Sequence, residues 1–192
     1  MTQAMARPLS EDKRDAILAS AIELVAAMGT GAPTAKIARQ AGVAEGTLFN
    51  YFPDKDALLA ATFLDLEGEL ARTLVEGVPA ASEPRERIRH VWDRLIDWSM
   101  ANPVRLKALR QLKVSDRIGA ESRRCGEAFF ADFMTMLDEA LAGPAERLSI
   151  DFVGAVLNAL AEITLDFIAR EPGRYHHYRA LGFETFWRAI AR

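Results

Sequence analysis

The chain has 192 residues, which is long enough for one sizeable core or for a small module on a larger one. Its net charge is −3, and its composition of 50% apolar and 27% charged residues is ordinary for a globular protein. Its single cysteine, Cys125, excludes an internal disulfide, and no apolar stretch reaches the ~18 residues that a membrane span needs. In a secretory signal an apolar segment follows the N-terminal positive charge, and no such segment follows Arg7. We therefore expect a cytoplasmic protein with no membrane partner.

The bulk charge gives no support for nucleic-acid binding. Residues 1–60 carry six basic and seven acidic side chains, a balance of −1. Because phosphate contacts are local, an argument for DNA binding has to rest on where individual charges lie.

Apolar residues recur at helical spacing almost everywhere, and no segment alternates with a period of two. We therefore predict an all-α fold of about nine helices. The first begins at Ser10, a suitable N-cap, and runs to Met28, where Gly29 ends it. Two short helices follow near Ala35–Ala41 and Glu45–Phe52.

A long fourth helix is predicted to begin at Asp54, another suitable N-cap. The glycine- and proline-rich segment Gly77–Pro84 indicates a break between two structural parts. The remaining five helices are expected near Pro84–Met100, from Asn102–Pro103, near Gly119–Ala142, near Ser149–Arg170, and over the C-terminal residues.

The segment that starts at Thr34 has the spacing of a helix-turn-helix motif. Its apolar and small positions are filled by Ile37, Ala38, Ala41, Gly42, Val43 and Leu48. A small residue at Ala38 lets two helices cross closely, and Gly42 adopts the left-handed backbone of the turn at little cost. Thr34 is expected to cap the first motif helix through its side-chain oxygen. The alternative is a pair of amphipathic helices with no DNA role.

The motif lies within TAKIARQAGVAEGTLFNYFPDKDALL, residues 34–59, which closely resembles the signature of the TetR/AcrR family of bacterial repressors. The resemblance is specific over residues 10–60 and only architectural beyond them. It implies a homodimer in which ligand binding changes the spacing of two DNA-reading heads. We accordingly expect residues 1–53 to form an N-terminal three-helix helix-turn-helix domain and residues 54–192 to form a helical effector-binding and dimerisation domain.

The resemblance makes Glu45–Phe52 the recognition helix. Thr47 matches a position that touches phosphate or a thymine methyl group, and Lys55 matches a phosphate-binding lysine at a helix N-terminus. Phe49 replaces a common tyrosine, so that a phenol hydrogen bond to phosphate is lost there and Tyr51 is expected to supply it.

Base edges are expected to meet Lys36, Glu45 and Asn50, which with Thr34 complete the predicted DNA-binding set. Ala44 departs from the serine that is frequent in the family, and this weakens the cap of the recognition helix by ~1 kcal/mol. The alternative for the charged members is an ordinary solvated face.

Predicted helices four to seven are rich in aromatic residues and methionine, which line either a core or an apolar ligand site. Because the resemblance implies a ligand domain, we predict a pocket for a small apolar or amphipathic effector. Its predicted lining is Phe63, Trp92, Trp98, Phe129 and Phe133.

The helix near Ser149–Arg170 is apolar around most of its circumference, so it has to be covered on more than one side. With the last helix it can form a four-helix bundle across a two-fold axis, although burial within one chain is the alternative. The predicted interface is Val153, Val156, Leu157, Leu160, Phe186 and Trp187. On the same helix Asn158, Glu162 and Asp166 share one face, which suits a solvent or dimer edge better than a site for a basic effector.

The sequence has no phosphate-binding glycine loop, nucleophile elbow or zinc-binding helix motif, and we expect no enzyme activity, metal or cofactor. The predicted function is a dimeric, ligand-responsive regulator, expected to be a repressor, that binds a near-palindromic operator in double-stranded DNA. The alternatives are a helical protein-interaction module that keeps the motif only as scaffold and, least favoured, a small helical enzyme.

Overall fold

The computed structural model describes residues 10–79, 83–140 and 149–190, and within these ranges every regular element is helical, which confirms the all-α prediction. In these described ranges a short 3-10 helix, Pro172–Arg174, accompanies ten α-helices. These are α1 (Glu11–Met28), α2 (Thr34–Gln40), α3 (Glu45–Tyr51), α4 (Lys55–Val75), α5 (Pro84–Ala101), α6 (Pro103–Lys113), α7 (Ala120–Ala128), α8 (Ala131–Ala140), α9 (Ile150–Arg170) and α10 (Tyr175–Ile190).

The tenth helix arises because the predicted helix near Gly119–Ala142 is divided. At the division, the backbone N–H of Phe129 bonds to the carbonyl of Gly126 at 3.1 Å, and that of Phe130 bonds to the carbonyl of Glu127 at 3.0 Å. Both bonds span three residues, so the α-helical hydrogen-bond pattern is interrupted there and α8 begins as a separate helix. Apolar spacing does not register such a turn, and the prediction of one continuous helix is wrong.

The helix starts differ in how they are capped. Asp54 is the predicted cap of α4, and its Oδ1 accepts the backbone N–H of Ala57 at 2.7 Å, which confirms the prediction. Thr34 is already the first helical residue of α2, and its side chain makes no cap bond, so that capping prediction is wrong. Ser10 also caps nothing with its side chain, and its backbone N–H instead donates to Tyr51.

The chain divides into two compact units. The first unit comprises Met1–Leu66 and Val104–Cys125, and the second comprises Glu67–Pro103 and Gly126–Arg192. The expected break at Gly77–Pro84 is therefore not the boundary of the units, which falls inside α4. The functional division at residues 53/54 stays a prediction.

In the first unit, α1, α2 and α3 pack around one apolar cluster. It consists of Ile17, Leu18, Ala21, Ile37, Ala38, Leu48, Phe52 and Leu58. Full burial of a side chain such as Leu48 stabilises a fold by about 1.5–3 kcal/mol, so this cluster strongly constrains which face of α3 can turn outward.

In the second unit, α5 packs against α8, α9 and α10, and α9 packs against α10. Trp92 of α5 is fully buried at this centre. Its ring stacks on Phe186 of α10 with centroids 6.2 Å apart and an interplanar angle of 11°, and its Nε1–H donates to the carbonyl of Arg179 at 2.9 Å. A buried indole whose polar atom is satisfied is a stable core residue.

By length and composition alone, residues Phe152–Arg170 of α9 are apolar enough to cross a membrane. The expectation that the chain has no span-length apolar segment is therefore wrong by this criterion. A packed helix of a soluble protein passes the same test, and α9 buries Val153, Leu157 and Ile168.

Candidate nucleic-acid interface

The turn between α2 and α3 is held by backbone geometry. Gly42 has a φ of +70°, the left-handed conformation that was expected there. Its N–H donates to the carbonyl of Arg39 at 3.2 Å, and the N–H of Val43 donates to the carbonyl of Ala38 at 2.9 Å. These bonds close α2 and determine the direction in which α3 leaves.

Helix α3 has one buried and one exposed face. Leu48 is fully buried and Tyr51 packs half-buried beside it on the first unit's core. The exposed residues follow at steps of one and four, so they form one continuous surface. They are Glu45, Gly46, Phe49 and Asn50. Thr47 is half-buried at the edge of this surface. The predicted recognition helix therefore directs the side chains of Glu45, Phe49 and Asn50 outward.

Tyr51 and Phe52 differ in what they can offer to a ligand. The phenol oxygen of Tyr51 accepts the backbone N–H of Ser10 at 3.0 Å, and its own proton is left to donate to a phosphate. Phe52 is buried in the core of the first unit, with the guanidinium of Arg14 5.9 Å from the centre of its ring. Phe52 is therefore a packing residue.

Thr34 and Glu45, both predicted DNA contacts, lie together. The hydroxyl of Thr34 donates a hydrogen bond of 2.6 Å to Oε1 of Glu45. The bond joins the first turn of α2 to the first turn of α3 at the surface of the unit. Lys36 and Arg39 are exposed on α2 and are three residues apart, so they share one face.

Lys55 lies half-buried in the first turn of α4 beside a cation that the sequence did not predict. Burial lowers the pKa of its ammonium, Arg117 lowers it further, and Asp56 acts in the opposite direction. Arg117 follows α6 and pairs with Asp56 at 2.7 Å across 61 positions of sequence. Nothing in the local sequence pattern indicates this proximity, which depends on the return of α6 to the first unit.

The predicted pocket residues are divided between the units. Phe63 is buried in the first unit, whereas the other four belong to the second. Trp92 and Phe133 are buried, and Trp98 is buried with its Nε1–H donating to Oε1 of Glu69 at 3.1 Å. Phe129, at the turn between α7 and α8, is 47% exposed.

Three of the predicted dimer residues are buried within their own chain. Val153 and Phe186 are 0% exposed and Leu157 is also buried, so their own chain already covers them. Val156, Leu160 and Trp187 are half-buried. Among the residues of α9 and α10 whose burial is described, the exposed large apolar side chains are Phe152, Ile163, Phe167 and Leu181. The row Asn158, Glu162 and Asp166 is exposed, as a solvent edge requires.

An all-helical protein whose first unit presents the second helix of a helix-turn-helix outward belongs to the helix-turn-helix class of DNA-binding proteins. Comparison with known proteins agrees with this class. Residues 17–62 match the model of the bacterial regulatory proteins of the TetR family.

Two curated relatives and one structure extend the similarity. The regulator BetI of Rhizobium meliloti is 39% identical over 77 residues, which are 40% of this chain and 38% of that protein. The regulator of the same name from Stenotrophomonas maltophilia is 24% identical over 77% of this chain and 79% of its own length. A crystal structure described as a TetR-family transcription regulator from Shewanella sp. PV-4 superposes with a TM-score of 0.86 at 27% identity, covering 94% of this chain and 98% of the other.

A second structure shares the fold alone. The regulator FadR of Bacillus subtilis, solved in complex with stearoyl-CoA, has a TM-score of 0.70 at 19% identity and covers 93% of this chain and 98% of that one. Together with the motif geometry, these matches show that the chain is similar to TetR-family transcriptional regulators, most specifically over the helix-turn-helix.

Proposed function

We propose that this protein is a dimeric repressor that binds a near-palindromic operator through α3 and releases it when a small apolar or amphipathic effector binds. The observation that carries the proposal is the outward face of α3, formed by Glu45, Gly46, Phe49 and Asn50. Burial of Leu48 prevents α3 from turning this face inward. A short helix held in this way can enter the major groove.

The phosphate contacts are assigned to Thr47, Tyr51 and Lys55, with Arg117 added to the predicted set. Arg117 and Lys55 repel one another, which is part of the reason that the pKa of the lysine is lowered. A phosphate beside them would relieve this repulsion and favour the charged ammonium. Thr34, Lys36, Glu45 and Asn50 then lie nearer the base edges.

The dimer is proposed to form through α9 and α10. Phe152, Ile163, Phe167 and Leu181 supply exposed apolar surface, and Val156, Leu160 and Trp187 are only half-buried. A soluble monomer rarely leaves a continuous apolar surface of this kind uncovered, and a two-fold axis covers it with a second copy. Two-fold symmetry in the protein in turn requires a near-palindromic operator.

The effector is proposed to bind in the second unit, at a site lined by Trp92, Trp98, Phe129 and Phe133. A site lined by aromatic side chains and one polar group suits a mostly apolar ligand. The polar group here is the Glu69 carboxylate, which accepts a hydrogen bond from Trp98. The stearoyl-CoA bound by FadR of Bacillus subtilis is an amphipathic molecule of this class. In this proposal the protein acts in the cytoplasm without enzyme activity, metal or cofactor.

Salt-dependent binding to duplex DNA tests the proposal. An operator is first selected from random duplexes with the full-length protein, and affinity is then measured over a salt series. Thr47→Ala and Lys55→Ala should weaken binding to every sequence, and Lys55→Ala, which removes a cationic phosphate contact, should also reduce the salt slope by about 1. Lys107→Ala, an exposed lysine on α6, is the control that should leave the slope unchanged.

Two outcomes would contradict the proposal. Binding without a palindromic preference or without a salt slope would exclude an operator-binding dimer. No affinity for any duplex would favour the alternative, in which the motif is scaffold for protein interaction.

A further inference from the structure

We propose that Glu45 reads a cytosine in each operator half-site and that the Thr34 hydroxyl positions its carboxylate for this contact. The inference rests on the proposed DNA binding by α3 and assigns a base to one residue of its exposed face. Three observations carry it: the chemistry of the carboxylate, the Thr34–Glu45 hydrogen bond and the glycine beside Glu45.

An acidic side chain in the middle of a DNA-binding surface is repelled by phosphates unless a base donor compensates. An ionised carboxylate can only accept hydrogen bonds. In the major groove, the N4 amine of cytosine is a donor that a carboxylate matches, whereas adenine places the N7 acceptor beside its amine. Glu45 therefore suits cytosine and discriminates against the other three bases.

The carboxylate is held in place before DNA arrives. Thr34 occupies one side of Oε1 with its 2.6 Å bond, and Oε2 is left to accept from a base. The Gly42 turn fixes the start of α3 relative to α2, so that the bond joins two helices of defined orientation. A contact between preorganised groups loses less side-chain entropy when the complex forms.

Gly46 supplies the independent observation. A Cβ built on it would meet nothing within 4 Å among the described residues, and its φ is not in the left-handed region. Neither packing nor backbone conformation of the free protein therefore requires glycine at this position. A bare backbone beside Glu45 does serve the close approach of a base-pair edge, which a side chain would obstruct.

The base preference of full-length variants tests the inference. Operators are selected from random duplexes with the natural protein and with Glu45→Gln, and affinities are measured for duplexes that differ at one symmetric position. The natural protein should require cytosine there, with a loss of tenfold or more for thymine. Glu45→Gln should prefer adenine, because glutamine pairs with adenine N6 and N7.

Two further variants separate positioning from general damage. Thr34→Val keeps the shape of the side chain without its hydroxyl, and it should reduce the discrimination for cytosine several-fold while operator affinity changes less. Glu23→Gln makes the same chemical change as Glu45→Gln at an exposed site on α1 and should leave base preference unaltered.

The outcomes for the inference and for the proposed function are distinguishable. If the natural protein binds a palindromic operator but Glu45→Gln selects the same bases, the cytosine assignment is overturned and the proposed function stands. If Thr34→Val discriminates like the natural protein, the positioning role is overturned. If the natural protein binds no duplex, both fail.

Discussion

A Cβ atom built on Gly182 of α10 would lie only 2.6 Å from Cζ2 of Trp92 on α5. The hydroxyl of Thr164 on α9 is closer still. Three helices of the second unit thus converge at a position where only a hydrogen atom fits, and the stacking of Trp92 on Phe186 depends on this close approach.

Gly182→Ala should therefore destabilise the protein by about 1–3 kcal/mol, because the buried indole can yield only by leaving its packed rotamer. Denaturant unfolding followed by tryptophan fluorescence measures the change. The matched control is Gly173→Ala, whose Cβ meets nothing within 4 Å among the described residues. Its effect should stay within about 0.5 kcal/mol, and equal effects of the two substitutions would contradict the packing argument.

Gly46→Ala should have opposite effects on stability and on DNA binding. Alanine in a helix is more favourable than glycine by about 0.5–1 kcal/mol, and no described neighbour obstructs it, so the unfolding free energy should rise. Operator affinity should fall, because the methyl group occupies space between α3 and the base edges. Thermal unfolding and gel shift on the same preparation measure both effects.

Gly42→Ala provides the contrast to Gly46→Ala. At a φ of +70°, a left-handed residue other than glycine costs about 1–2 kcal/mol, so this variant should lose stability as well as affinity. A gain of operator affinity in Gly46→Ala would contradict the close approach of a base-pair edge to the backbone at Gly46.

Ile163→Glu should convert the proposed dimer to a monomer. Ile163 is 53% exposed on α9, so a charge there is tolerated in the isolated chain but would be desolvated under a second copy. Sedimentation equilibrium measures the mass, and circular dichroism checks that the helices remain. Val114→Glu makes a similar change at a side chain that is 83% exposed in the first unit, and its mass should match that of the unmodified protein. If Ile163→Glu keeps the dimer mass, this face of α9 is not the interface.

Tyr175 gives the protein a defined sensitivity to alkali. Burial of its phenol and the hydrogen bond that it donates to Asp97 raise the pKa from 10.0 to about 12. The folded state thus holds the proton more tightly, and the resulting stability is fully present below pH 10 and is lost as the pH rises towards 12. Tyr175→Phe should show a shallower loss over this range in denaturant unfolding at a series of pH values. Parallel curves for the two proteins would exclude the phenol as the cause.

Local sequence patterns predicted most of the helices and the outward face of α3. Ile37 and Leu48 are buried as apolar periodicity indicated, and Gly42 adopts the expected left-handed backbone. These features depend on neighbours within about one helical turn, which is the range that periodicity and turn chemistry describe. By contrast, the pairing of Thr34 with Glu45 depends on the angle between two helices.

The sequence by itself determined that the fold is all-α, that its motif helix is amphipathic, and that α9 is apolar around most of its circumference. Only the tertiary structure decided that Val153 turns into the second unit while Ile163 faces outward, and that Arg117 lies beside Lys55. The physical reason is that a broad apolar surface does not by itself decide which of its side chains turn inward, and a charge meets a distant charge only where the fold brings them together.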